Sequence, residues 1–117
     1  MKQRFRLRRR QDFDRVMRAQ RVFAGRAIVA FASPSPEGRW RVGVAVSRRL
    51  RGAVNRNRVR RRLREVARAS LLPPPQPEAS GGYDVVLVGR PAALELPLEV
   101  LAQETARVRG RLAEPPA

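Results

Sequence analysis

Apolar and polar positions run in two rhythms along this chain, and each switch between them marks an element. In QDFDRVMRA, residues 11–19, Phe13, Val16 and Met17 recur at i, i+3 and i+4, which predicts a short helix. Asp12 and Asp14 fall in its first turn, where the helix dipole favours negative charge, and they read as caps. QRVFAGRAIVAFAS, 20–33, is strand-like, with Gly25 at a bend or bulge, and SPSPEG, 33–38, is a turn. WRVGVAVS, 40–47, alternates. Trp40, Val42, Val44 and Val46 take one face, while Gly43 and Ala45 leave the other open to close approach. LLPPPQPEASGG, 71–82, reads as a flexible loop. YDVVLVG, 83–89, is almost wholly apolar, as expected of a strand covered on both faces. Pro97 opens a last helix over 97–111, whose buried stripe is Leu98, Leu101, Thr105, Val108 and Leu112. The end, 113–117, reads as a frayed tail.

The order is helix, two or three strands, helix, strand, helix. Such a chain makes an α+β fold, a two-layer α/β sandwich in a single domain, 1–117. Strand 40–47, helix 55–70 and strand 83–89 form a βαβ unit with parallel strands, for which the general rule gives a right-handed crossover.

The helix of that unit contains AVNRNRVRRRLREV, 53–66, in which six of fourteen residues are arginine. On a helical projection Val59, Leu63, Val66 and Ala67 fall together and face the sheet. Asn57, Arg61, Arg64 and Arg68 lie opposite, Arg58, Arg60 and Arg62 lie on the flanks, and Arg56 begins the helix near the apolar side. Solvated helix faces usually mix signs, because like charges at i, i+4 repel. Here no acid intervenes between Glu37 and Glu65, and SRRLRG, 47–52, adds Arg48, Arg49 and Arg51. Charge crowded at a helix N-terminus despite the dipole predicts a phosphate-binding element.

Composition narrows the choice. Lys and Arg total 26 against 10 acids, a net charge of +16, and all but one of the cations are arginine. Arginine's planar fork matches phosphate. A polyanion is the expected partner, and the residues alone do not choose between RNA and DNA. The apolar runs are too short for a membrane span and no secretory leader is read at the start, so no membrane partner and a cytoplasmic location are expected. With no cysteine, no histidine and no cluster of acids at metal-ligand spacing, neither catalytic nor metal-binding residues are expected on the protein.

The run AVSRRLRGAVNRNRVRRRLRE, 45–65, resembles the signature of the bacterial ribonuclease P protein subunit, centred on Arg56-Asn57-Arg58. The basic start FRLRRRQDF, the RVGVAVS before the signature, the strand YDVVLVG and the overlapping GRPA agree in order. The resemblance implies a four-stranded sheet in the order α-β-β-β-α-β-α with an unusual left-handed βαβ crossover. It implies a catalytic RNA partner that removes the 5′ leader of precursor tRNA with Mg2+ held mainly by the RNA. The RNA contacts it implies are Arg48, Arg49, Arg56, Asn57, Arg58, Arg60, Arg61 and Arg64, to which the helical projection adds Arg68. It also implies a separate leader cleft between the first helix and the sheet, lined by Arg6, Phe13, Met17, Val29 and Phe31. Single strands bind by stacking on aromatics along a basic groove, which suits Phe13 and Phe31. Both also fit an ordinary core. Arg62 stands where the family often has an apolar residue, which would widen the charged face.

Two other readings stand beside this one. A ribosomal or other structural RNA-binding protein would share the charge and size but not the single ordered signature. A DNA-reading helix would keep more of its polar surface for base edges.

Overall fold

The switches in hydrophobic rhythm fall where the elements change. The computed structural model describes residues 5–71 and 82–113. Helix α1 spans Arg10–Met17 and is followed by strands β1, Gln20–Ala24, β2, Ile28–Pro34, and β3, Arg41–Val46. Then come α2, Ala53–Ser70, strand β4, Tyr83–Gly89, a 3-10 turn at Pro91–Leu94, and α3, Leu98–Ala113. The strand-like stretch 20–33 is two strands, because the chain reverses after Gly25, whose N–H donates to the Ile28 carbonyl at 2.8 Å. The flexible loop read at 71–82 and the frayed tail fall mostly on 72–81 and 114–117, outside the described residues. The loop's two edges, Leu71 and Gly82, are buried.

The sheet has the order β1-β2-β4-β3. β1 and β2 are antiparallel, β2 and β4 are antiparallel, and β3 runs parallel to β4 with Val44 opposite Leu87. The parallel β3-α2-β4 unit is therefore present, with its two strands adjacent. β4 ends up between two neighbours, which explains its unbroken apolar run. Val85 and Leu87 point to one face of the sheet and Val86 to the other, all fully buried.

The two faces differ in what covers them. On one, Val59, Leu63, Val66 and Ala67 of α2 and Leu101 and Val108 of α3 meet Ile28, Trp40, Val42, Val46, Val85 and Leu87. Burial of each large apolar side chain there contributes about 1.5–3 kcal/mol. This is the body of the sandwich. On the other face α1 lies alone, with Leu7, Val16 and Val86 buried and Phe13, Phe31, Ala45 and Val88 half-buried around them. The room left by Gly43 is taken by α1 itself. A Cβ at Gly43 would sit 2.4 Å from Cζ of Phe13.

Leu98 departs from its expected stripe and is exposed, because the chain entering α3 packs through Leu94 and Leu96 instead. The buried side of α3 also carries Glu104, a carboxylate that the stripe did not include. It accepts from the N–H groups of Arg26 at 3.0 Å, Ala27 at 3.1 Å and Ile28 at 3.0 Å, so α3 clasps the β1–β2 reversal.

Candidate nucleic-acid interface

The rotation of α2 is fixed by its apolar stripe. Val59, Leu63, Val66 and Ala67 are buried, so Asn57, Arg58, Arg61, Arg64 and Arg68 are exposed on the outward side. Arg60 is half-buried and donates to the side-chain oxygen of Asn57 at 3.0 Å, one helical turn back. Arg58, Arg61 and Arg62 surround Val54, an apolar residue 82 % exposed at the start of the helix. Arg61, Arg64 and Arg68 line a second shallow depression with Glu65.

Two arginines of this helix serve the fold. Arg56 turns back to the β3–α2 connection, where it donates to the carbonyls of Ser47 at 2.8 Å, Leu50 at 2.9 Å and Val46 at 3.3 Å. It was expected among the RNA contacts. Its position beside the apolar stripe also puts three main-chain acceptors within reach, and its fork ties down the loop that carries Arg48 and Arg49. Both of those are exposed, and the Arg49 N–H donates to Oγ of Ser47 at 3.2 Å. Gly52 ends the loop at φ 92°, a conformation that favours glycine, and its carbonyl receives the Arg56 N–H. Arg62 does not widen the charged face. It is half-buried and donates to the Leu96 carbonyl, linking α2 to the entry of α3.

On the α1 face, Phe13 and Phe31 are half-buried against the small second core. Val29 and Phe31 lie on β2 opposite Val88 and Val86, and Met17 is 40 % exposed at the end of α1. The structure thus sets Phe13, Val29 and Phe31 on one side of the sheet, with the aromatics partly used in packing. Arg6 is placed differently. It pairs with Val42 as an isolated parallel bridge at the outer edge of β3. There Arg6 and Phe13 line a groove of about 320 Å³ together with Leu7, Arg8, Val42, Gly43, Val44 and Arg64. Met17, Val29 and Phe31 are not in its lining. The Arg64 guanidinium in this groove is pushed below its ordinary pKa, first by desolvation and then by the charges of Arg6 and Arg60.

The orientation of α1 depends on a buried ion network that sequence reasoning missed. Asp84, fully buried on β4, accepts from Arg41 Nε at 2.9 Å and Nη2 at 2.7 Å, and also from Arg15. Asp12 was expected to cap α1. It sits in the first turn of α1, where the dipole favours its charge, and it also lies 3.3 Å from Arg15 and 3.8 Å from Arg41. Hydrogen bonds to Asp84 raise the pKa of both arginines above the ordinary value. The one signal in the sequence is an acid set inside an otherwise apolar strand, which demands a buried partner.

Comparison with known proteins agrees with this arrangement. The family model described as Ribonuclease P matches residues 1–113. The chain is 41% identical over 113 residues to the ribonuclease P protein component of Acidothermus cellulolyticus, covering 95% of this chain and 90% of that protein. It is 38% identical over 105 residues to the component of Chloroflexus aurantiacus, covering 89% and 74%. The RNase P protein of Staphylococcus aureus has the same fold, with a TM-score of 0.71 at 22% identity over 93% of this chain and 95% of that one. That of Thermotoga maritima superposes with a TM-score of 0.70 at 21% identity over 91% and 96%. With a matched family model spanning nearly all its length and an arginine signature on a helix whose rotation the core fixes, the chain belongs to the bacterial ribonuclease P protein family.

Proposed function

We propose that this chain is the protein subunit of a ribonuclease P ribonucleoprotein, an endoribonuclease of tRNA maturation whose chemistry resides in its RNA. The observation that carries the reading is the α2 face. Arg58, Arg61, Arg64 and Arg68 are exposed in one direction, with the apolar stripe of the same helix buried behind them. An RNA backbone laid along that face meets a row of guanidinium forks, and Arg48 and Arg49 extend the row into the loop that Arg56 ties down. The 5′ leader of precursor tRNA occupies the α1 face, where the exposed parts of Phe13, Met17 and Phe31 offer surfaces for bases to stack on. Mg2+ belongs to the RNA. Among the described residues no group of three or more His, Cys, Asp and Glu side chains is arranged to hold a metal. No helix of the described residues is long and apolar enough to cross a membrane. A cytoplasmic site of action follows from the substrate proposed.

The test is reconstitution. Purified protein, catalytic RNA and precursor tRNA are combined in Mg2+, each also being omitted in turn. The expected result is leader removal that requires the RNA and is accelerated by the protein at moderate Mg2+. Cleavage by RNA-free protein that follows the protein peak through purification would overturn it. For the leader surface, Phe31→Ala is expected to weaken precursor tRNA binding by about 1–3 kcal/mol while sparing mature tRNA. Equal losses for both tRNAs together with a lowered melt would place Phe31 in the core alone.

A further inference from the structure

Helix α1 is seated on the sheet by little apolar contact. Val16 is its one fully buried residue, and the second core beneath it adds only Leu7 and Val86. Hydrophobic attraction is non-directional, so it presses the helix onto the sheet without fixing its roll. Direction comes from charge. Asp12 and Arg15 of α1 and Arg41 and Asp84 of the sheet close into a circuit of alternating sign. Asp84 accepts from Arg15, Arg15 lies 3.3 Å from Asp12, Asp12 lies 3.8 Å from Arg41, and Arg41 donates to Asp84 at 2.7 Å. The helix is thus tied to the sheet at two points three residues apart. Buried ion pairs contribute little net stability, because desolvation offsets their attraction. What the circuit supplies is a narrow geometry that satisfies all four groups at once.

The same helix carries two of the residues assigned to the leader. At helical spacing, Asp12 and Arg15 lie on one flank of Val16, and Phe13 and Met17 on the other. The sheet repeats the arrangement. Arg41 and Asp84 are paired neighbours on β3 and β4. Two residues further along β3 is Gly43, against which Phe13 packs, and two further along β4 is Val86, which faces Phe31. Rolling α1 by about 20° moves a side-chain tip by roughly 2 Å, given the width of a helix. That shift breaks the bond between Arg15 and Asp84 and carries Phe13 across Gly43 by the same amount. The two flanks cannot move independently.

We propose that Asp84 and Arg15 are positioning residues for leader recognition: with Asp12 and Arg41 they set the roll of α1, and through it the surface that Phe13 and Met17 present to a single strand. Asp84 is fully buried and reaches no ligand itself, so it acts only through the helix. The proposal rests on the leader reading above.

The test uses the full chain assembled with catalytic RNA, and measures dissociation constants for precursor and mature tRNA. Asp12→Asn is the decisive variant. It removes a negative charge, which by electrostatics alone tightens binding to either tRNA. The circuit demands the opposite for one of them: precursor tRNA is expected to bind about fivefold more weakly, and mature tRNA no more weakly than to wild type. Arg15→Met, which keeps the reach of the side chain and loses its fork, is expected to show the same split, and Arg15→Lys to recover part of it. A direct phosphate contact by Arg15 would flatten the log–log salt slope by roughly 0.7, whereas positioning leaves the slope unchanged. Added to Phe13→Ala, Arg15→Met is expected to cost little more, because both act through one surface. The Asp84–Arg41 pair within the sheet remains in each variant, and thermal melts check that the fold does too. Tighter binding of both tRNAs by Asp12→Asn, equal losses for both, a flattened slope for Arg15→Met, or losses that multiply with Phe13→Ala would overturn the positioning role. If Phe13→Ala still separates precursor from mature tRNA in that event, the leader reading stands without the circuit. If it does not separate them, the leader reading fails as well.

Discussion

The guanidinium of Arg56 donates to three main-chain carbonyls, and a truncation there leaves those acceptors without their donor. Arg56→Ala is expected to cost about 2 kcal/mol of stability, allowing for its partial exposure, and a denaturant midpoint measures it. Its neighbour Arg61 is exposed and makes no such bond, so Arg61→Ala is expected to leave the midpoint unchanged. A drop for Arg61 equal to that for Arg56 would contradict the division between fold and interface. Glu104 makes the same point with opposite charge. Glu104→Ala strands three N–H groups beside a buried helix face and is expected to cost about 3 kcal/mol or more. Glu104→Gln, which keeps an acceptor oxygen, should lose less. Gly25 belongs to the same device, since a Cβ there would fall 2.3 Å from the Glu104 carboxylate.

At the scale of the element, α2 separates its two faces cleanly. Leu63 is wholly buried, and Leu63→Ala is expected to cost about 2–5 kcal/mol through the cavity it opens. Arg61→Ala with Arg68→Ala should leave that stability intact and flatten the salt dependence of RNA binding, by roughly 0.7–0.9 per lost phosphate contact. An unchanged slope would mean a merely solvated face. This element was the most legible part of the sequence, because a stripe such as Val59, Leu63, Val66 and Ala67 depends only on helical spacing. The alternation of β3 and the apolar run of β4 were legible for the same reason. The partners of Asp84 and Glu104 were not, since they join residues 43 to 78 positions apart, and no local period encodes such pairs. The roles of Arg56 and Arg62 were hidden too. Both look like members of the charged face until the loop and the entry to α3 bring carbonyls within reach. The convergence of Arg6 with Arg64 likewise depends on where the sheet sets its edge.

The whole molecule carries a charge of +16, and its ion network confines much of the attraction among described residues to one end of α1. The raised pKa values of Arg15 and Arg41 mean that, from neutrality upward, their contribution is complete below the ordinary arginine value and fades only above it. Alkaline solution short of that range is therefore expected to leave the thermal melt flat, and a transition between neutrality and pH 10 would argue against the network.

The central position of β4 has a consequence for how the chain is made. β4 is the last strand in sequence, yet it separates β2 from β3 and carries Asp84, the acceptor for α1. Before it leaves the ribosome β1 and β2 have each other, but β2 lacks its second neighbour and β3 has no strand beside it. A chain ended at residue 82 is accordingly expected to show no cooperative unfolding and few slowly exchanging amides, although it holds three of the four strands. During synthesis the arginine-rich helix would then be exposed, on an unclosed sheet, to every polyanion nearby until β4 arrives, and the final strand converts an indiscriminate cation into a shaped one.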